Sequence, residues 1–375
     1  MAAFAIYRLP YQQECRLLMQ TEGQPAELPS LSALSGKEGF VMAPFTIDQR
    51  HPLLLFSPDV DECLSPDDLL TAAGDAGELV AKMSQVLSSP QQEENERYGT
   101  KGHYAIDFAN FHSQILEGEF SKVVLARCCH EKNTRHETPL QLFVRACREY
   151  PRLYVALVCA YRCGTWLMAT PEVLLEGDGH QWSTMSLAGT MSLTDSQLNF
   201  DEPPSPERHD DTEIGWNIKN IQEQRFVSTY ITERLEQVAT GIEEHGPYTR
   251  RAGRLVHLRS DFLFTLPDTG RLGELLNVLY PTPAVCGLPK DAARDFIRRN
   301  ELAPRQYYSG FAGLLQPTGE THLYVSLRCM RLRGDDCTLF AGGGLLADSE
   351  MSTEWDETEA KMETMRVLIK KDAQG

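Results

Sequence analysis

The sequence predicts an α/β protein in which short apolar strands alternate with amphipathic helices. Three observations carry this reading. Tyr104, Phe108, Phe111 and Ile115 recur at helical spacing. Two apolar runs, Tyr154 to Ala160 and Thr165 to Ala169, flank Arg162-Cys-Gly164 as a hairpin. Between Leu339 and Lys361 the chain passes from a strand end through three glycines and a polar turn into a charged helix. The 375 residues suffice for two domains or for one large α/β unit.

Taken in order, the first hundred residues say least. Phe40-Val-Met42 and Leu53-Leu-Leu-Phe56 read as strand pieces, and Asp67 to Leu87 has helical character. Ser84 to Lys101 turns polar and reads as a loop or boundary. Gly118 is placed to end the helix of Tyr104 to Ile115. Ser121 to Arg127 is a strand with Lys122, Val124 and Ala126 on one face. Thr138-Pro139 opens a helix running to about Tyr150, with threonine as N-cap and proline in the first turn. Thr170-Pro-Glu172 precedes the strand Val173 to Gly177, and Ser186 to Thr190 is a strand ending in a small-residue turn.

Asp201 to Glu213 is an acidic, proline-containing surface loop that leads into a long helix from about Glu213 to Val238. There Ile214, Ile218 and Ile221 supply the expected core face, and Lys219, Asn220, Glu223 and Val227 lie near another stripe. Leu272 to Leu279 is a helix stopped by the prolines of Tyr280-Pro-Thr-Pro. Tyr307 to Gly313 and His322 to Arg331 alternate as half-buried strands, with Arg328 on the face opposite Leu323, Val325 and Leu327. Gly334-Asp-Asp336 turns the second of these back towards the three glycines.

The glycines at 342–344 let backbone amides approach a ligand closely. Ser349, Ser352 and Thr353 are helix-opening residues. Beyond them Glu354, Glu357 and Lys361 share one helical face. Two carboxylates a turn apart suit a hard cation such as Mg²⁺, and the lysine could hold an anion beside it. Taken alone, the same residues describe a solvated helix with a Glu357–Lys361 pair.

Composition narrows the class. Apolar residues make up 42% and charged residues 24%, as in soluble globular proteins. A net charge of −17 disfavours nucleic acid as a partner, yet leaves room for a small anion held by a few buried cations. The apolar runs are too short to span a bilayer, and the N-terminus lacks the pattern of a signal peptide. Ten cysteines without paired-CxxC spacing read as reduced thiols of a cytoplasmic protein rather than as a zinc site. A monomer is expected.

The order Lys-Val-Val-Leu-Ala-Arg, Thr-Pro-Glu, Leu-Ala-Gly-Thr, a helix with Lys219 and Glu223, Pro-Thr-Pro-Ala, Tyr-Ser-Gly, Leu-Arg-Cys, Gly-Gly-Gly and Glu-Trp-x-Glu-Thr-x-x-Lys resembles the chorismate-utilising enzymes. Within them it looks most like the isochorismate synthases. The resemblance spans about residues 103–370 and rests on the order of the motifs, each of which is weak alone. It implies an α+β fold in which two antiparallel sheets form a two-lobed sandwich flanked by helices, with the substrate cleft between the lobes. Residues 1–100 would be a variable part of that fold and 101–375 its catalytic core.

The resemblance also implies roles. Lys122 matches the general base acting on the attacking water, and Glu172 the general acid protonating the leaving C4 hydroxyl of chorismate. Glu223 and Glu357 match direct Mg²⁺ ligands, with Glu354 and Asn220 acting through water. Arg328, Tyr308, Lys361 and the amides around Gly342 and Gly343 match groups that hold the two carboxylates. Gly189 and Thr190 match the turn beside the reacting ring. Adding water at C2 while hydroxide leaves C4 needs a base and an acid together. A lysine acts as base only when neutral, and Glu172 must be kept protonated by an apolar or acidic surrounding.

Lysine rather than glutamine at 122 argues for water over ammonia as nucleophile. Ala188 stands where aminodeoxychorismate synthases often carry a lysine. Salicylate synthases share nearly all the catalytic residues and are the alternative enzyme; a chorismate-binding protein without turnover is the alternative of another class. The chain departs from the pattern at Gln224, where relatives usually have histidine, at Asn220, where an acidic residue is common, and at Tyr280, where a histidine is frequent. A tyrosine is a poor proton shuttle near neutral pH, so isochorismate is the expected product. Menaquinone synthesis is its expected use.

Overall fold

The computed structural model describes residues 2–71, 75–88, 99–192, 215–252 and 255–371. The first strands are β1 (Ala3–Arg8), β2 (Cys15–Gln20), β3 (Ala26–Leu28), β4 (Gly39–Ala43), β5 (Leu53–Phe56) and β6 (Val60–Leu64). They are followed by β7 (Lys122–Lys132), β8 (Tyr154–Ala160), β9 (Gly164–Thr170), β10 (Val173–Gly177), β11 (Trp182–Ser192), β12 (Thr240–Ala252) and β13 (Leu255–Thr265). The last are β14 (Gly287–Leu288), β15 (Phe311–Leu315), β16 (Thr321–Val325), β17 (Cys329–Arg333) and β18 (Asp336–Leu345). The helices are α1 (Pro66–Thr71), α2 (Asp75–Leu87), α3 (Lys101–Leu116), α4 (Pro139–Glu149), α5 (Ile218–Leu235), α6 (Leu272–Leu279), α7 (Lys290–Asn300) and α8 (Met351–Ile369).

The described strands form two nine-stranded sheets, ordered β14-β7-β18-β17-β9-β8-β1-β2-β6 and β12-β13-β11-β10-β16-β15-β4-β5-β3. Neighbouring strands pair antiparallel in both, from β14 with β7 to β3 with β5. The sheets pack face to face over a core of Phe40, Phe56, Tyr154, Trp166 and Tyr324. The Tyr154 and Tyr324 rings stack across it at 4.2 Å. Outside the first sheet lie α4 and α8, through Phe143, Met362 and Met365; outside the second lie α5 and α6, through Ile231 and Leu276. This is the two-sheet α+β sandwich implied by the resemblance. The N-terminal strands belong to it fully, since β1 and β2 extend the first sheet and β3 to β5 the second.

Local signals account for several boundaries. Thr138 caps α4 in a capping box with Gln141. The β8–β9 hairpin turns at Gly164, whose φ of 77° lies in the left-handed region. The β17–β18 hairpin closes with Arg333 opposite Asp336. All ten cysteines are free thiols. No described helix is long and apolar enough to cross a membrane.

Some expectations need correction. The helical stretch from Asp67 to Leu87 is described as α1 and α2, and residues 72–74 between them lie outside the described residues. α5 starts at Ile218, and Ile218 and Ile221 are exposed at 75% and 45%. Its buried face carries Asn220, Gln224, Val227, Ser228 and Ile231 instead. Three of these are polar because the first turns of α5 lie against the polar end of β11, where Gln224 Nε2 donates to Ser186 Oγ at 2.7 Å. α8 is capped by the backbone of Glu350 with no side-chain bond, and Ser349 Oγ instead donates to Glu354 Oε1 at 2.7 Å. The expected strand His322 to Arg331 is broken into β16 and β17, which lie in different sheets. Arg328 is therefore not on a half-buried face; it is buried at the crossover. The acidic loop Asp201 to Glu213, Ile214 and most of the polar stretch after Ser84 lie outside the described residues.

Candidate active site

Two crossovers between the sheets create the site. The chain leaves β9 in the first sheet for β10 in the second at Thr170-Pro-Glu172. It returns from β16 to β17 at Ser326-Leu-Arg328. The crossovers bond to each other's strands: Val325 N donates to Glu172 O at 2.9 Å, and Ala169 N donates to Arg328 O at 3.0 Å. Arg328 takes φ of 45°, uncommon for a residue with a side chain. The strain is tolerated because its guanidinium is held on both sides, by His257 Nε2 at 2.7 Å and by Thr364 Oγ1 at 3.3 Å.

A narrow cleft opens here. Among the residues singled out from sequence, Glu172, Gly189, Thr190, Glu223, Tyr308, Arg328, Gly342 and Lys361 line it. Lys122, Gly343, Glu354 and Glu357 are not among its lining residues. Lys122 is fully buried, with Nζ 2.9 Å from Glu223 Oε1, an ion pair too poorly aligned for a full hydrogen bond. Lys361 Nζ donates to Gly342 O at 3.0 Å and to Glu357 Oε1 at 2.7 Å.

Each wall follows from its local backbone. β17 stops pairing β18 at Cys329 opposite Phe340, so Ala341 to Leu345 keep β7 on one side and leave the other facing the cleft. A side chain is not tolerated at Gly344 on that edge. A Cβ on Gly344 would stand 2.4 Å from Glu223 Oε1 and 2.7 Å from Lys122 Cε. β11 bulges between Ala188 and Thr190, with Gly189 at φ of 69°. The bulge turns Gly189 N onto Glu223 Oε2 at 3.2 Å and Gly189 O onto His257 Nδ1 at 3.0 Å.

Electrostatics separates the carboxyls. Burial raises Glu172 to about 8, against the lowering fields of Lys122, Lys361 and Arg328. A protonated carboxylic acid therefore faces three cations at neutral pH. Glu223 is also penalised by burial, but Lys122, with Lys361 and Lys219, outweighs this and holds it below the usual range. Burial and then the charge of Glu357 raise Glu354, despite its ion pair with Lys219. Burial lowers Arg328 to about 10.

His257 escaped the sequence reading. It is buried on β13, and burial, Arg328 and Lys361 push it well below the ordinary histidine value, so it is neutral. Arg328 can only donate, so Nε2 is the acceptor and Nδ1 carries the proton given to Gly189 O. This one ring links the arginine to the β11 bulge. Its only sequence signal was a lone histidine between Val256 and Leu258, a pattern shared by many structural histidines. Gln224 and Tyr280 do not line the cleft. Tyr280 is buried and donates its hydroxyl to Ser309 O at 2.7 Å.

Glu223, Glu354 and Glu357 have the chemistry of hard-cation ligands. All are oxygen donors abutting Gly343 and Gly344. A Cβ on Gly343 would lie 3.2 Å from Glu354 Oε2 and 3.6 Å from Glu357 Oε1. Glu354 Oε2 is buried and has no hydrogen-bond partner. Among the described residues no three acidic, histidine or cysteine groups stand close enough to hold an ion as placed. The three carboxylates are instead paired with Lys122, Lys219 and Lys361. In donor type and in the orphaned oxygen the set fits a divalent cation.

The sequence profile described as "Chorismate binding enzyme" matches residues 47–370. The chain belongs to the chorismate-binding enzyme family. Within the family it is 32% identical over 266 residues to the salicylate biosynthesis isochorismate synthase of Pseudomonas aeruginosa, covering 68% of this chain and 52% of that protein. Against the isochorismate synthase MenF of Escherichia coli it is 29% identical over 255 residues, covering 68% and 57%. The chain thus spans little more than half the length of these relatives. The solved structure of MenF, the menaquinone-specific isochorismate synthase of Escherichia coli, superposes with a TM-score of 0.74 at 23% identity, over 98% of this chain and 89% of that one. At that identity the likeness speaks for the chorismate-binding fold alone.

Proposed function

We propose that this protein is a Mg²⁺-dependent isochorismate synthase, adding water at C2 of chorismate as the C4 hydroxyl leaves. The observation that carries the reading is Glu172: a carboxyl raised to about 8 in a cleft lined by Arg328 and Lys361. Such an acid can hand a proton to a departing hydroxyl at neutral pH, while the cations face the substrate's carboxylates. The isochorismate synthases among its relatives point the same way.

Each residue has a part in this reading. Lys122, paired with Glu223 in this structure, takes the proton of the attacking water once it has released its own. Glu172 protonates the leaving oxygen. Arg328, oriented by His257, and Lys361 hold the carboxylates, with Tyr308 beside them at the glycine edge. Gly189 and Thr190 support the ring. Glu223, Glu354 and Glu357 would hold Mg²⁺, which when bound supplies positive charge for a substrate carboxylate. Local cations thereby let a chain of net charge −17 bind a dianion. We assign the product to menaquinone synthesis, the use for which MenF is named.

Incubation with chorismate and Mg²⁺, with products identified by mass and absorbance, tests the reading. Isochorismate in reversible equilibrium with chorismate is expected. Salicylate as the main product would select the alternative enzyme, and tight binding without turnover would remove the enzymatic reading.

A further inference from the structure

β7 carries Lys122 at its head, and among the described residues its outer edge is nearly bare of strand. β14 covers only Lys122 and Val123, through Leu288 and Gly287. Val124 N then donates to Cys286 O at 2.7 Å, and the strand partner ends. The next two edge groups are taken by side chains. Arg305 Nη2 donates to Val124 O at 2.7 Å, and Ala126 N donates to Glu301 Oε1 at 2.7 Å. Arg305 Nη1 reaches across to Val285 O, also at 2.7 Å.

We propose that the Glu301–Arg305 pair is a positioning device for the reaction, a substitute strand that fixes β7 against the turn at Val285. The geometry is that of a rigid clip. Arg305 forks onto Glu301 through Nε at 2.6 Å and Nη2 at 2.8 Å, and both side chains are only 3% exposed. The guanidinium lies 4.3 Å from the centre of the Phe45 ring. Both carbonyls it grips belong to residues lining the cleft, Val124 on β7 and Val285 in the turn that leads into β14. The clip therefore holds the turn at Val285 against β7 and fixes the strand from which Lys122 projects. A buried ion pair is rarely needed for stability alone, since apolar residues of similar volume often serve as well. A planar guanidinium can hold two carbonyls and a carboxylate at once, which an ammonium cannot.

The proposal rests on the isochorismate synthase reading. Its test compares Glu301→Gln, Arg305→Lys and Glu301→Leu/Arg305→Leu with the wild type, measuring kcat, chorismate affinity, Tm and amide exchange. Glu301→Gln keeps one oxygen for Ala126 N and Arg305 Nη2 but turns an amide NH2 towards Arg305 Nε, so it lowers Tm while holding kcat within about threefold. Arg305→Lys lowers kcat about tenfold or more with chorismate affinity nearly unchanged, because misplacement of ~1 Å is enough to cost up to ~10²-fold. The double leucine variant keeps its fold, loses kcat further and exchanges the Ala126 amide faster. Wild-type kcat in Arg305→Lys, or parallel loss of kcat, affinity and Tm in every variant, would overturn the proposal. If the leucine pair does not fold, the contrast between Glu301→Gln and Arg305→Lys decides. A wild type that makes no isochorismate removes the functional reading instead. The clip is then judged by exchange, and unchanged Ala126 protection in folded Arg305→Lys would overturn it.

Discussion

Glu172→Gln is the most informative single substitution, because the raised carboxyl makes two predictions of opposite sign. With the carboxyl at about 8, roughly ten molecules in eleven carry its proton at pH 7, and about one in eleven at pH 9. At its ordinary value of 4.5 the protonated share at pH 7 would be only about one in three hundred. The wild-type kcat/KM should therefore fall along an alkaline limb with an apparent pKa near 8. The amide of the variant has no proton to give, and kcat should drop by ~10²–10⁴. Stability moves the other way. A carboxyl whose folded pKa is raised gives its full contribution below the unfolded value, and loses it as pH rises through the folded one. Relative to Glu172→Gln, the wild type should thus weaken between about pH 4.5 and 8, by roughly 3–6 kcal/mol once fully ionised. Denaturant titrations of both proteins at pH 5 and pH 9 measure this difference. A variant keeping more than a tenth of wild-type kcat would refute the reasoning, as would a stability difference that does not change with pH.

Three further outcomes are expected. Lys122→Ala should lose at least ~10²-fold in kcat while still binding chorismate, read by steady-state kinetics and a binding titration, because a general base is removed and the carboxylate-holding groups remain. Chelator should abolish turnover and Mg²⁺ restore it, with Glu357→Gln needing much more Mg²⁺; full activity in excess EDTA would end the metal proposal. Tyr280→Phe should destabilise the protein by about 1–3 kcal/mol, since Ser309 O loses its buried donor, and should leave the product unchanged. A shift of product in that variant would return Tyr280 to the chemistry.

Much of the site was legible because its residues carry strong local signals. A proline before Glu172, a run of glycines and a helix with carboxylates one turn apart each constrain the backbone near them. Features created by the sandwich were hidden. β1 is buried at every position, because helices cover one face and the second sheet the other, so it shows no alternation to read. The polar buried face of α5 looks like a solvated stripe until β11 is laid against it. The period-2 reading of His322 to Arg331 failed where the chain changes sheets, and that break is what buries Arg328. The pairings of His257 with Arg328 and of Arg305 with Val124 join residues 71 and 181 positions apart. No local pattern encodes such contacts.

In the proposed reaction a water molecule enters at C2 as the original C4 oxygen departs. Turnover of chorismate in ¹⁸O-labelled water tests it directly, with the product separated and weighed by mass spectrometry. Isochorismate heavier by one ¹⁸O is expected, with the label in the C2 hydroxyl. Unlabelled isochorismate would contradict it, because the oxygen would then have migrated within the substrate rather than come from water placed beside Lys122.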